Sequence, residues 1–150
     1  FSIECVEELV KKFPEQIVGV KDSSYNLFEN LKLDNFSVMP GSEAKLLKGL
    51  EHGCSGIITA TCNATSQLAR SVYDDFINNK DQLNNQKLID VRAAFEKYNL
   101  ISSLHTFFSK DDEIYKNLLP PLSLLNSSDE KQLIQDLKDL NFKSNSQQAA

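Results

Sequence analysis

Ile17-Val18-Gly19-Val20-Lys21-Asp22-Ser23-Ser24 is an apolar run with two valines that ends in a polar turn. Such a run has the look of a short strand buried on both faces in a parallel sheet. Alternation places Ile17, Gly19 and Lys21 on one face and Val18 and Val20 on the other. Two later stretches repeat the plan. Phe36-Ser37-Val38-Met39 is stopped by Pro40-Gly41, and Ser55-Gly56-Ile57-Ile58-Thr59 runs into small polar residues.

Helical spacing fills the intervals between these runs. Ile3, Val6, Leu9 and Val10 form a stripe that Phe13 closes before Pro14, a residue that cannot continue a helix. Residues 26–32 suit a short helix. Residues 42–52 suit an amphipathic one, with Leu46, Leu47 and Leu50 on one face and Gly53 placed as a left-handed cap. From residue 64 the pattern is helical only. Leu68, Val72, Phe76 and Ile77 mark one helix, and Leu83, Leu88, Val91, Phe95 and Leu100 mark a longer one over 81–104. Ser127-Ser128-Asp129-Glu130 is a start signal for a last helix carrying Leu133, Ile134, Leu137 and Leu140.

Strands alternating with helices predict an α/β fold with right-handed crossovers and a parallel sheet. Three strands cannot close a barrel, which takes about 250 residues for eight strands. Left alone, three strands expose two sheet edges. The pattern therefore reads as the last part of a larger domain, one whose chain opens inside a helix. The expected divisions are a barrel part over 1–80, a helical extension over 81–142 and a disordered tail over 143–150.

Composition narrows the classes. The chain has 150 residues, 41% hydrophobic and 25% charged, a globular mix. Sixteen Lys and Arg face 21 Asp and Glu, for a net charge of −5. That balance argues against a nucleic-acid surface. No apolar run reaches the roughly 20 residues needed to span a bilayer, and Phe1–Lys12 is too charged for a signal peptide. Cys5, Cys54 and Cys62 read as reduced thiols of a cytoplasmic protein. With His52 they lack zinc-site spacing, so no metal is expected.

Lys21 is the residue most open to chemistry. It ends an apolar strand, on the side where parallel α/β folds place their active sites. Pointing inward above Gly19, it would be partly desolvated, which favours the neutral amine. Such an amine can attack a carbonyl to form a Schiff base. Equally, a strand-end lysine can be ion-paired with Asp22 or Glu43. Gly41-Ser42-Glu43 follows the next strand at the same end. Gly41 would admit a ligand to the backbone, and Ser42 with Glu43 would open a helix whose N-terminus favours anions; the same residues could simply be a helix cap. Gly56 to Asn63 could line a pocket mouth or merely form a connecting loop. His105, beside Leu104, Phe107 and Phe108, reads as a core or interface histidine. Ser23-Ser24 has no nucleophile-elbow context, and no glycine-rich phosphate loop is present.

Three segments taken together resemble the dihydrodipicolinate synthase / N-acetylneuraminate lyase family. They are Ile17 to Ser24, then Gly41-Ser42-Glu43 with Leu46, Leu47, Gly49 and Leu50, then Gly53-Cys54-Ser55-Gly56-Ile57-Ile58-Thr59 with Asn63. Lys116-Asn117-Leu118-Leu119-Pro120-Pro121-Leu122 is similar to the family's late proline-containing segment, so the likeness covers nearly all of residues 1–142. It implies part of a TIM (β/α)8 barrel, strands six to eight, plus a C-terminal helical extension in proteins usually assembled as tetramers. It also implies a pyruvate-dependent class I aldolase or lyase, taking pyruvate with an aldehyde or a 2-keto acid and needing no cofactor.

By the same resemblance Lys21 is the Schiff-base lysine. Ser23 and the Gly41, Ser42 and Glu43 loop would meet a hydroxylated substrate tail, and the Ile58 carbonyl would face pyruvate. Asp22-Ser23-Ser24 suits the 2-keto-3-deoxy sugar-acid aldolases, whereas 4-hydroxy-tetrahydrodipicolinate synthases more often follow the lysine with Glu-Ala or Glu-Ser. Ala60 stands where the sialic-acid lyases carry serine, and Thr65 where a proline is common. The family's proton-shuttling tyrosine, in a Tyr-Asn-x-Pro motif, has no match here: Tyr98-Asn99 is followed by Leu100-Ile101 in a helical pattern. The resemblance thus leaves two readings, a C-terminal fragment of such an aldolase, inactive alone, or a non-catalytic half-barrel acting only in assembly. Either is expected to associate with itself or with an N-terminal part.

Overall fold

A computed structural model describes residues 1–143. Of the expected tail, residues 144–150 lie outside the described residues. The fold is α/β with a small parallel sheet. Packing separates it into two compact units: Phe1–Thr59 with Val72–Gln82, and Ala60–Ser71 with the chain from Leu83 onward. In the latter unit Ala64 and Leu68 pack into the core of the later helices.

In the first unit, α1 (Ile3–Lys12) starts on Ser2, whose hydroxyl accepts the Cys5 N–H, and stops at Phe13. Strands β1 (Gly19–Asp22) and β2 (Ser37–Pro40) pair in parallel, with Lys21 opposite Met39. They flank the short helix α2 (Leu27–Asn30). Val6, Leu27, Phe28, Leu31, Val38 and Cys54 form the core on one side of the sheet, with Val20 packed against it. Burying a side chain such as Phe28 or Leu27 is worth about 1.5–3 kcal/mol each. Gly19 is needed where the strands meet: a Cβ there would stand 2.8 Å from the Ser37 carbonyl oxygen.

Three expectations change here. The first strand lies two residues later than its apolar run, so Val18 precedes it and is 58% exposed. β1 is not buried on both faces: Val20 packs on the core while Lys21 is exposed. The third run, Ser55 to Thr59, is not a regular strand. Ser55 N–H reaches Val38 O at 3.3 Å and Ile58 N–H reaches Pro40 O at 3.1 Å, but Gly56 between them sits at φ 146°, outside the strand region.

After β2 comes a 3-10 turn, Glu43–Lys45, and then α3 (Leu46–Glu51). Gly53 ends this stretch at φ 84°, as expected of a left-handed cap. Helix α4 (Cys62–Ile77) is shared between the two units.

The second unit holds α5 (Asn85–Glu96), α6 (Leu100–Phe108) and α7 (Ser127–Asp139). Val91, Phe95, Leu104, Phe107, Leu133 and Leu137 join Ala64 and Ala94 in its core. The Phe95 and Phe107 rings meet edge to face at 5.5 Å, a favourable aromatic geometry. The single helix expected over 81–104 is two. Asn99 breaks it by turning its side chain to accept the Ser102 N–H, as the N-cap of α6. Leu83 falls outside both helices and is 83% exposed. The last helix starts one residue before the serines, on Asn126, whose side chain accepts from Ser128 N and Asp129 N.

Candidate active site

The C-terminal ends of β1 and β2 and the third segment, Cys54–Thr59, converge in the first unit. The pairing continues one step past the strands, with Gly41 N–H donating to Asp22 O at 2.9 Å. Ile58 N–H, bonded to Pro40 O, brings the third segment to the same end.

Asp22 sets the local geometry. Its side chain is 2% exposed. Oδ1 accepts from Ser24 N–H at 3.0 Å, Ser24 hydroxyl at 2.6 Å and Tyr25 N–H at 3.0 Å, while Oδ2 accepts from Phe28 N–H at 3.0 Å. Burial raises the carboxyl pKa, but the Ser24 hydroxyl and the three backbone N–H groups outweigh it and hold the group below its usual value. The turn it closes carries Tyr25 at φ 61°, a conformation that costs a non-glycine residue about 1–2 kcal/mol. The carboxylate is thus spent on the turn and on the start of α2, which removes the expected Asp22 ion pair for Lys21.

Lys21 is exposed at this strand end. Lys21 Cε and Ser23 Oγ both lie against Gly41, since a Cβ on that glycine would stand 3.4 Å from the first and 2.7 Å from the second. Lys21, Ser23 and Gly41 are thus brought together, with Ser23 also exposed.

Ser42 and Glu43 reach the same strand end with their side chains buried, at 5% and 0% exposure. Ser42 Oγ accepts the Ala44 N–H at 3.3 Å as a cap. The anion-favouring helix end expected at Ser42 is reduced to a three-residue 3-10 turn, too short to sum much dipole. Glu43 Oε2 accepts the Thr59 hydroxyl at 2.9 Å. Ile58 is 44% exposed. The turn-closing role of Asp22 and the Thr59 bond to Glu43 are what reading the sequence missed. The Asp-Ser-Ser run after a strand is an Asx-turn signal that points to Asp22. No local signal pairs Thr59 with Glu43, sixteen residues away.

Outside this cluster, His105 Nδ1 lies 2.8 Å from Tyr115 O. Among the described residues no group of His, Cys, Asp and Glu could hold a metal ion. Among them, too, no helix is long and apolar enough to cross a membrane.

Comparison with known proteins follows the same lines. The 2-dehydro-3-deoxy-D-gluconate/2-dehydro-3-deoxy-phosphogluconate aldolase of Picrophilus torridus is 29% identical over 127 residues, covering 79% of this chain and 47% of that protein. The dihydrodipicolinate synthase of Agrobacterium tumefaciens is 23% identical with a TM-score of 0.77, over 93% of this chain and 48% of that one. A prophage protein of the dihydrodipicolinic acid synthase family from E. coli, solved in complex with pyruvate, is 21% identical with a TM-score of 0.74, over 95% and 52%. These structural likenesses establish the fold, part of the barrel of those enzymes. The chain spans about half the length of the relatives it matches. The model of the dihydrodipicolinate synthetase family matches residues 1–140. On that match, spread across both units and the whole lysine-bearing end of the sheet, the chain belongs to the dihydrodipicolinate synthetase family.

Proposed function

We propose that this chain supplies the Schiff-base strand and the two following loops of a pyruvate-dependent class I aldolase. Residues 1–80 would be barrel strands six to eight with their helices, and residues 81–142 the helical extension of a cytoplasmic homo-oligomer, a tetramer by family habit. The observation that carries the reading is Lys21 at the end of β1, exposed and beside Ser23 and Gly41. The aldolase relative from Picrophilus torridus supports it.

In this reading the neutral Lys21 amine adds to the ketone carbon of pyruvate. A C–N bond forms, the carbonyl oxygen leaves as water with both amine hydrogens, and uptake of one proton from solvent makes the resulting imine an iminium. The iminium draws electrons from the methyl carbon, so a proton can be lost there to give an enamine. The enamine then attacks an aldehyde, and the reverse sequence cleaves a 2-keto-3-deoxy acid. Ser23 and the Gly41–Glu43 loop would meet the hydroxylated tail, and the Ile58 carbonyl would face the pyruvate.

Borohydride reduction of the full-length protein with pyruvate tests this reading. Mass spectrometry is expected to find the adduct on Lys21 and nowhere else. Lys21→Ala should abolish it and move stability by only about 0.5 kcal/mol, as at other exposed positions. An adduct on a different lysine, or none, overturns the reading.

A second reading, a half-barrel acting only in assembly, draws on the exposure of Val18 and Lys21 along the sheet and on the chain spanning half its relatives' length. It expects association with an N-terminal part and no pyruvate release from a 2-keto-3-deoxy acid by the reassembled protein. Release by that protein removes it.

A further inference from the structure

Glu43 is 0% exposed although it stands in the loop that ends β2. A carboxylate taken out of water persists only where hydrogen bonds replace its hydration. One of these comes from the third segment: the Thr59 hydroxyl donates to Glu43 Oε2 at 2.9 Å. One residue earlier, Ile58 N–H donates to Pro40 O at 3.1 Å. The two anchors flank the Ile58 carbonyl along the chain. The peptide is planar and each residue has only two soft torsions, so fixing Ile58 N and the Thr59 side chain restrains that carbonyl. The segment needs the restraint, because it has no regular ladder and carries Gly56 at φ 146° just upstream.

We propose that Glu43 is a positioning residue, acting through Thr59 to hold the Ile58 carbonyl in one orientation at the strand end that carries Lys21. The inference rests on the aldolase reading and adds to it a role that Glu43 exercises through Thr59. The pair sets the pyruvate end of the site, so disrupting it weakens pyruvate binding rather than the fold.

The test uses the full-length protein. Thr59→Val removes the donor, Thr59→Ser keeps it, and Glu43→Gln keeps the shape but removes the charge. Thr59→Val is expected to raise KM for pyruvate about tenfold, with borohydride still trapping the adduct on Lys21. Thr59→Ser should return KM close to wild type. A folded Thr59→Val protein with wild-type KM overturns the proposal, and so does a raised KM that serine fails to reverse. Should Thr59→Val not fold, Glu43→Gln decides: a raised KM supports the pair and a wild-type KM overturns it. A wild-type protein that traps no pyruvate on Lys21 defeats the aldolase reading instead. The restraint is then judged by the carbonyl carbon resonance of Ile58, which Thr59→Val displaces if the anchor holds it and leaves in place if it does not.

Discussion

The Ser23 hydroxyl occupies the space that a side chain on Gly41 would need: a Cβ there would lie 2.7 Å from Ser23 Oγ. Lys21 Cε would be next, at 3.4 Å. Ser23 is exposed and can turn away, so the chain can absorb the extra methyl group. The arrangement of Lys21 and Ser23 cannot survive that turn unchanged. On the aldolase reading, Gly41→Ala in the full-length protein is therefore expected to lower turnover by roughly a hundredfold, the scale of a 1 Å misplacement, while thermal unfolding shifts by only a few degrees. Wild-type turnover from Gly41→Ala would separate this glycine from the site.

Asp22→Asn tests the turn that supports the lysine. The asparagine oxygen can still accept from Ser24 and Tyr25, but its amide nitrogen then faces the Phe28 N–H, donor against donor. The expected cost is about 2 kcal/mol, that of a buried group left without its partner. A pH dependence follows from the carboxyl being held below its usual value. Its contribution is complete above the unfolded-state value and is lost as pH falls through the lower folded-state value. Urea midpoints of the wild type should therefore drop more steeply than those of Asp22→Asn as acid is added from pH 5 downward. Parallel curves would show that the carboxylate does not stabilise the turn.

Much of this fold was legible because hydrophobic spacing and chain breakers act locally. Pro14 ends α1, Gly53 ends the stretch after α3, and the apolar runs before Lys21 and Pro40 became paired parallel strands. What was not legible depends on contacts distant in sequence. Leu83 continues a helical spacing, yet it is 83% exposed and lies outside the helix. Ser55 to Thr59 has strand composition, but Gly56 leaves the strand region and the ladder does not form. The site divides in the same way. Lys21, Ser23 and Gly41 share one strand end and could be grouped from their order in the chain. Burial of Glu43 against Thr59 appears only once the third segment is laid beside β2.

The cysteines should differ in reactivity. Cys54 is buried in the first unit's core at 8% exposure. Burial raises its thiol pKa, an effect that Lys32 only partly offsets. Since the thiolate is the reacting form, modification needs both access and ionisation. At pH 8, iodoacetamide is expected to label half-buried Cys5 at least about tenfold faster than Cys54. Peptide mapping over time reads both rates, and equal labelling would mean that the core beneath β2 opens readily.

Asn99 offers the sharpest test of the helical unit, because it stands where spacing alone would run one helix through. Its side chain accepts the Ser102 N–H at 3.1 Å, and its backbone carbonyl accepts from Ser103 at 2.9 Å. Asn99→Ala keeps the second bond and deletes the first, leaving Ser102 N–H without that acceptor at a buried helix start. The cost should be about 1 kcal/mol, the usual value of an N-cap. Alanine also favours helix, so a continuous α5–α6 helix is the competing outcome. That outcome is opposed by the core, since Phe95 and Phe107 meet edge to face across the break and Ser103 Oγ donates to Phe95 O at 3.1 Å. Straightening the chain would pull both contacts apart. Asn99→Ala should therefore lower the urea midpoint with no gain in helical circular dichroism; an unchanged midpoint with added helix would mean that the break is held by the cap alone and not by the packing on either side of it.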